Sequence, residues 1–291
     1  MVFERLVDDA ALDSPGTPVA GALRAYRTLA GRPATGRLRC PVARFGELRR
    51  HLVPEDLLDL AVVADAGTDE LPGVLDGVRG EPRVRPVSVH VALPPEADQA
   101  RATAVAIARL PRDVPVFVGV RHRPGRRAAL DRIAAARVRG APFGVEFRAE
   151  DAAEFVPACL ERDLPFTCTS EHSSSVLLLR VLRLAAGDGP PANGPRGPRS
   201  PVRTQAGSHP GGEHRADEPG SEPSAHDRDL AARPPGVDPP ACDRTGGAAP
   251  AGGTVRRVFV GFAVPDVAGL LRELDDLGPV RTRGNGEHLS P

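Results

Sequence analysis

The sequence predicts a (β/α)8 barrel of the TIM type. Three observations predict it. Short runs rich in Val, Phe and Leu alternate with amphipathic helical patterns along most of the chain. The alternation counts to eight strand–helix units, the number that closes such a barrel. No strand–turn–helix carries a Gly-x-Gly-x-x-Gly fingerprint, which disfavours the alternative, an open doubly wound sheet.

The strand-like runs are 5–8, 37–41, 57–65, 85–93, 114–121, 141–148, 164–170 and 255–263. The first is the weakest, because Leu6–Val7 is a very short apolar pair. Helical spacing lies between them. Val19, Leu23 and Tyr26 share a face, as do Phe45, Leu48 and Leu52. Leu71, Val74, Leu75 and Val78 follow Thr68, an expected N-cap. Ala100, Ala104 and Ile107 form the next stripe, then Leu130, Ile133, Ala134 and Val138. Ala152, Phe155, Val156, Cys159 and Leu160 fall at i, i+3, i+4, i+7 and i+8. Ser173–Ser175 precede the seventh helix, and Val267, Leu270, Leu271, Leu274 and Leu277 mark the eighth, with Gly278 closing it.

Composition changes abruptly at Gly187. Residues 187–254 hold 13 Gly and 13 Pro, no aromatic residue, and only Val202, Leu230 and Val237 as large aliphatics. Too little apolar area is present to offset the entropy of ordering such a stretch. The expected organisation is therefore 1–186 for barrel units 1–7, 187–254 as a disordered insertion, 255–278 as the last unit and 279–291 as a flexible tail. The insertion falls between helix 7 and strand 8, a connection on the N-terminal face of a barrel, away from chemistry.

Charge excludes several functions. Acidic and basic residues number 38 each, and every basic residue is arginine. With no lysine there is no Schiff-base or P-loop lysine. The balanced charge and 3% aromatic content argue against nucleic-acid binding. Cys40, Cys159, Cys168 and Cys242 form no Cys-x-x-Cys pair. Acidic residues at the start of the chain, and no apolar run of membrane-spanning length, predict a cytoplasmic protein with no membrane partner.

Chemistry in this fold sits at the C-terminal ends of strands. Strand 1 ends in Asp8-Asp9, strand 3 in Asp65 and strand 5 in Arg121-His122, while strand 4 carries His90. Strand 6 ends in Glu146-Phe147-Arg148 and strand 7 runs into Thr169-Ser170-Glu171-His172. Alternation places Ser88 with His90, Gly144 with Glu146 and Arg148, and Thr167 with Thr169 on the inner face. Asp65, His90, Glu146 and Arg148 are the expected catalytic group, with Arg121, Thr169, Glu171 and His172 expected to bind substrate. Such a set suits general acid–base work on a small polar or anionic metabolite, or a divalent metal. Each residue also has a purely structural reading. Glu146 and Arg148 could be an ion pair, His90 a hydrogen-bonded core residue, Asp65 part of a turn, and the Arg121–Arg127 cluster a solvated loop.

Three segments resemble an uncharacterised bacterial family of similar length with a barrel-type α/β architecture. They are Leu6–Gly16, Leu164-Pro-Phe-Thr-Cys-Thr169, and Arg257-Val-Phe-Val-Gly-Phe262 with the helix that follows. The resemblance implies lysines where this chain has Glu146 and Thr167, and an arginine that Arg148 matches. A mechanism built on such a lysine is closed to this chain. The expected function is an aldolase, lyase or isomerase working without an imine. The alternative is a lapsed barrel that binds a metabolite or a protein.

Overall fold

The computed structural model describes residues 4–64, 68, 71–94, 96–187, 255 and 257–277. Eight parallel strands close one barrel in sequence order. They are β1 (Val7–Asp9), β2 (Thr35–Pro41), β3 (Leu58–Ala64), β4 (Val84–Ala92), β5 (Val116–Gly119), β6 (Phe143–Arg148), β7 (Phe166–Thr169) and β8 (Phe259–Val264). The ring shuts where Val7, Asp8 and Asp9 pair with Phe262, Ala263 and Val264. That pairing excludes the open doubly wound sheet.

The helices are α1 (Val19–Leu29), α2 (Val42–Arg50), α3 (Leu71–Arg79), α4 (Gln99–Arg109), α5 (Arg126–Val138), α6 (Ala152–Leu160), α7 (Ser175–Ala185) and α8 (Val267–Asp276). Three of them start on side-chain caps. Asp98, Ser174 and Asp266 accept from the backbone N–H groups of Arg101, Leu177 and Gly269. Among the described residues no helix is long and apolar enough to cross a membrane.

Strands β5, β6 and β7 begin later than their apolar runs do. Each starts just after a proline, which cannot donate to a ladder. Pro115, Pro142 and Pro165 contribute only their carbonyls, which accept from Val89, Val116 and Val145. Residues 255–258 were expected as the start of the last strand, yet Val255, Arg257 and Val258 are helical. Val255 and Val258 are both buried, and a spacing of three is one face of a helix. Residues 188–254 and 278–291, which take in nearly all of the expected insertion and the whole tail, lie outside the described residues.

Each strand buries both faces. The outer face is apolar and packs against the helices. Phe147 stacks on Phe155 of α6 at 5.0 Å and tilts against Phe166 at 5.3 Å, and Phe166 stacks on Phe259 at 5.2 Å. Leu38, Leu60, Val89, Val116, Val118 and Val145 continue this shell, all fully buried. The inner face differs. The stagger that closes eight strands sets alternate strands at one level. Asp8, Ala61, Phe117 and Thr167 line one such level, with Arg37, Ser88, Gly144 and Gly261 below it. Arg39, His90, Glu146 and Ala263 lie above, toward the C-terminal mouth.

Candidate active site

Alternation in β2 turns Leu38 and Cys40 into the shell and Arg37 and Arg39 into the barrel. The same rule turns Ser88 and His90 inward from β4, and Gly144 and Glu146 inward from β6. The side chains meet in a continuous chain. Asp8 accepts from Arg37 Nε at 3.0 Å and Nη2 at 2.6 Å. Arg37 Nη1 reaches Ser88 Oγ at 3.4 Å, and Ser88 Oγ lies 3.1 Å from His90 Nε2. His90 Nδ1 bonds Glu146 Oε2. Glu146 Oε2 also accepts from Arg39 Nη1 at 2.8 Å, and Arg39 Nε donates to Asp13 Oδ2 at 2.8 Å.

Glycines make room for this chain. A Cβ on Gly261 would collide with the Arg37 guanidinium and with Asp8. One on Gly144 would lie 2.7 Å from the Phe117 ring, which itself stacks on His90 at 5.2 Å.

The bonding pattern assigns the imidazole tautomer. Glu146 can only accept, so His90 Nδ1 carries the proton. Nε2 then accepts from the Ser88 hydroxyl, whose oxygen accepts from Arg37. Arg39 Nη1 also stands 3.1 Å from His90 Nδ1, and with the proton on that nitrogen it donates to Glu146 Oε2 instead.

Burial pushes the His90 imidazole below its ordinary value, and the pull of Glu146 does not restore it. Burial alone would raise the Glu146 carboxyl. The charge of Arg39 and the bonds from Arg39 and His90 outweigh it and hold Glu146 well below the usual carboxylate range. Burial works against the Arg39 charge, but Glu146 and Asp13 together hold its value above the ordinary one. At neutral pH His90 is therefore neutral, Glu146 ionised and Arg39 charged.

Exposure falls off with depth. Arg39 is 3% exposed and His90 1%, against 16% for the Glu146 side chain and 33% for that of Asp13. All described contacts of Glu146 use Oε2. Its Oε1 accepts nothing among the described residues. Next up each strand come Val63, Gly119 and Thr169, the first and last half-buried. Glu146 is thus a floor of the mouth with one oxygen tied down and one open.

Of the four expected catalytic residues, His90 and Glu146 come together. Asp65 lies outside the described residues. Arg148 stands on the rim, shared between Glu171 at 2.9 Å and Glu150 at 3.5 Å, and does not touch the His90–Glu146 group. Of the expected binding residues, Thr169 ends β7 half-buried as the register partner of Arg148. Glu171 and His172 are exposed beyond it, the backbone of His172 tied to Ser170 Oγ. Arg121 is exposed after β5, its backbone N–H donating to Gln99 Oε1 at 3.0 Å. It pairs with no carboxylate among the described residues.

Sequence reasoning missed Arg39, Arg37 and Asp13. The signal was present in Gly36-Arg37-Leu38-Arg39-Cys40, where arginines alternate with residues that belong in the shell. Among the described residues no group of three His, Cys, Asp or Glu could hold a metal. The place beside His90 and Glu146 is taken by the Arg39 guanidinium, whose charge a metal would have to displace. Comparison with protein families, curated proteins and solved structures finds no match for this chain.

Proposed function

We propose that the C-terminal mouth is the active site of an aldolase-, lyase- or isomerase-type enzyme that handles a small polar metabolite without forming an imine. What carries this reading is Glu146, an ionised carboxylate on the mouth with one oxygen held by Arg39 and His90 and the other open. Reactions of this class begin by taking a proton from carbon next to a carbonyl, or from a hydroxyl. Glu146 stands in its basic form at neutral pH. Its low proton affinity leaves it a weak base, and a substrate that weakens the Arg39 bond would raise it toward the pH at which a base works best. His90 holds the carboxylate in place through Nδ1–H, and Arg39 keeps it charged.

Energetics support a functional origin. Six charged or polar groups occupy positions that aliphatic side chains fill in an ordinary barrel plug. Replacing a buried ion pair by apolar residues is often neutral or stabilising, so stability alone does not call for them. On the proposed kinship with the bacterial family, Glu146 and Thr167 stand where lysines would be, and they are direct register partners. The mouth would then be a cationic site rebuilt around a carboxylate.

The test is a metabolite mixture of hydroxy acids, amino acids, polyols and sugar phosphates in D2O, followed by proton NMR. Turnover, or deuterium entering one C–H position, is expected with the native chain. It should fall at least a hundredfold in Glu146→Gln. No reaction with any compound overturns the catalytic reading. The second reading, a binding barrel, is favoured by the depressed Glu146 carboxyl, since a weak base is still a good acceptor. Saturation transfer to a compound that is never turned over would establish it.

A further inference from the structure

We propose that the ligand group seated on Glu146 is an ammonium, so that the mouth selects small amines over the matching hydroxyl compounds or simple acids. This rests on the proposed site and adds its substrate class. The expectation from sequence is a small polar or anionic ligand, and the geometry favours a polar ligand that carries positive charge.

Arg39 and Arg148 are already shared. Arg39 lies between Asp13 and Glu146, and Arg148 between Glu150 and Glu171. Each cluster holds two carboxylates on one guanidinium and carries one net negative charge. The described pairs use Nε and Nη1 of each, and the charge of each guanidinium is already outweighed by its two carboxylates. Arg39 is moreover 3% exposed.

Among the described residues the floor offers an ionised acceptor. Glu146 Oε2 takes the bonds from Arg39 and His90, whereas Oε1 takes none among the described residues. An ionised oxygen in a cluster of two carboxylates on one guanidinium is matched by a donor that carries positive charge. A hydroxyl would satisfy the bond but not the charge. A carboxylate or phosphate would satisfy neither.

The ligand also has a direction. Arg121 follows Gly119 by two residues, and Gly119 is the register partner of Glu146. The unpaired guanidinium therefore stands on the neighbouring strand's loop, farther out than the carboxylate. An amine bearing an anionic group at its other end fits this order, with the ammonium inward and the anion outward.

Matched pairs test the claim on the full chain: ethanolamine against ethylene glycol, and glycine against glycolate, then larger pairs of the same design. Affinity is read by ligand-observed NMR at two salt concentrations. The amine of each pair is expected to bind at least tenfold tighter, and only amine binding should weaken with salt. Glu146→Gln, which keeps the acceptor and removes the charge, should erase the preference. The native chain's own preference and salt dependence decide the matter even if that variant folds poorly. Equal or tighter binding of the hydroxyl compounds overturns the ammonium assignment and leaves the site standing. Binding of none of the pairs also overturns it, while turnover in the metabolite mixture would still uphold the site.

Discussion

On the outer face of β6 and β7, Phe147 and Phe166 stack with Phe155 and Phe259. On the inner face of β6, one residue away in sequence, Glu146 is held by His90 and Arg39. The two faces are buried to a similar degree but stabilised differently. Aromatic packing is non-directional and indifferent to pH, and it fails by leaving a cavity. The inner chain depends on each partner being present and in one protonation state. A barrel needs only the first kind of interior to close. The second kind is where this sequence departs from what closure requires.

The largest effects separate the two faces. Phe147→Ala and Arg39→Leu should each cost about 3–5 kcal/mol, the first by cavity formation and the second by leaving Glu146 buried without its guanidinium. Their pH dependence should differ. The native Glu146 carboxyl is held low, so its contribution is present at neutral pH and is lost as pH falls through its folded value. Without Arg39, burial raises that carboxyl instead, and the variant is penalised most at high pH. The gap between native and Arg39→Leu should therefore narrow on acidification, while that of Phe147→Ala stays flat. Urea titrations from pH 4 to 8 check this, and parallel curves would mean the inner chain behaves as ordinary packing.

A third kind of burial sharpens the contrast. Asp9 is 4% exposed and, among the described residues, accepts one bond, from Ala11 N–H at 2.9 Å, and pairs with no cation. Burial raises its carboxyl to about 6, and Asp13, Asp266 and Asp8 add to the rise. A raised carboxyl favours folding below its unfolded value and loses that advantage as pH climbs from about 4 to 6. At pH 7 the penalty is about 3 kcal/mol, taking 1.36 kcal/mol per pH unit. Asp9→Asn keeps the acceptor and removes the charge. It should recover up to about 3 kcal/mol at pH 7, near 6 °C or more in Tm, and nothing at pH 4. Thermal melts at both values decide it. Equal gains at both would show that charge is not the cause.

The two faces also differed in how far they could be read from sequence. The shell was legible because its signal is local. Val87-Ser-Val-His-Val91 and Phe143-Gly-Val-Glu-Phe147 alternate so plainly that the inward position of His90 and Glu146 follows from parity. Arg37 and Arg39 obey the same parity, yet an arginine in a strand is ordinarily a surface residue. What makes Arg39 an interior residue is Glu146 on β6, 107 positions later in the chain, and no local pattern announces it. Arg148 shows the converse. It keeps the parity of Glu146 but is the last residue of β6, where the barrel ends and Glu150 and Glu171 draw it onto the rim.

The smallest effect asks whether the inner chain is one unit or two ion pairs that happen to touch. Among the described residues Ser88 is the one hydrogen-bonded link between Arg37–Asp8 and the His90–Glu146–Arg39 group. Ser88→Ala leaves both ion pairs intact and deprives His90 Nε2 of its donor. If the pairs act separately, the loss is that of two hydrogen bonds, a neutral one to His90 and a long one from Arg37, about 1–3 kcal/mol. The His90 tautomer should not change, because Glu146 still requires the proton on Nδ1, and imidazole nitrogen shifts read that directly. A loss well above about 3 kcal/mol, or a proton moved to Nε2, would mean that polarisation along the whole chain fixes the imidazole. The axis would then be a single cooperative element, and Asp8 and Arg37 would belong to the site as much as Glu146 does.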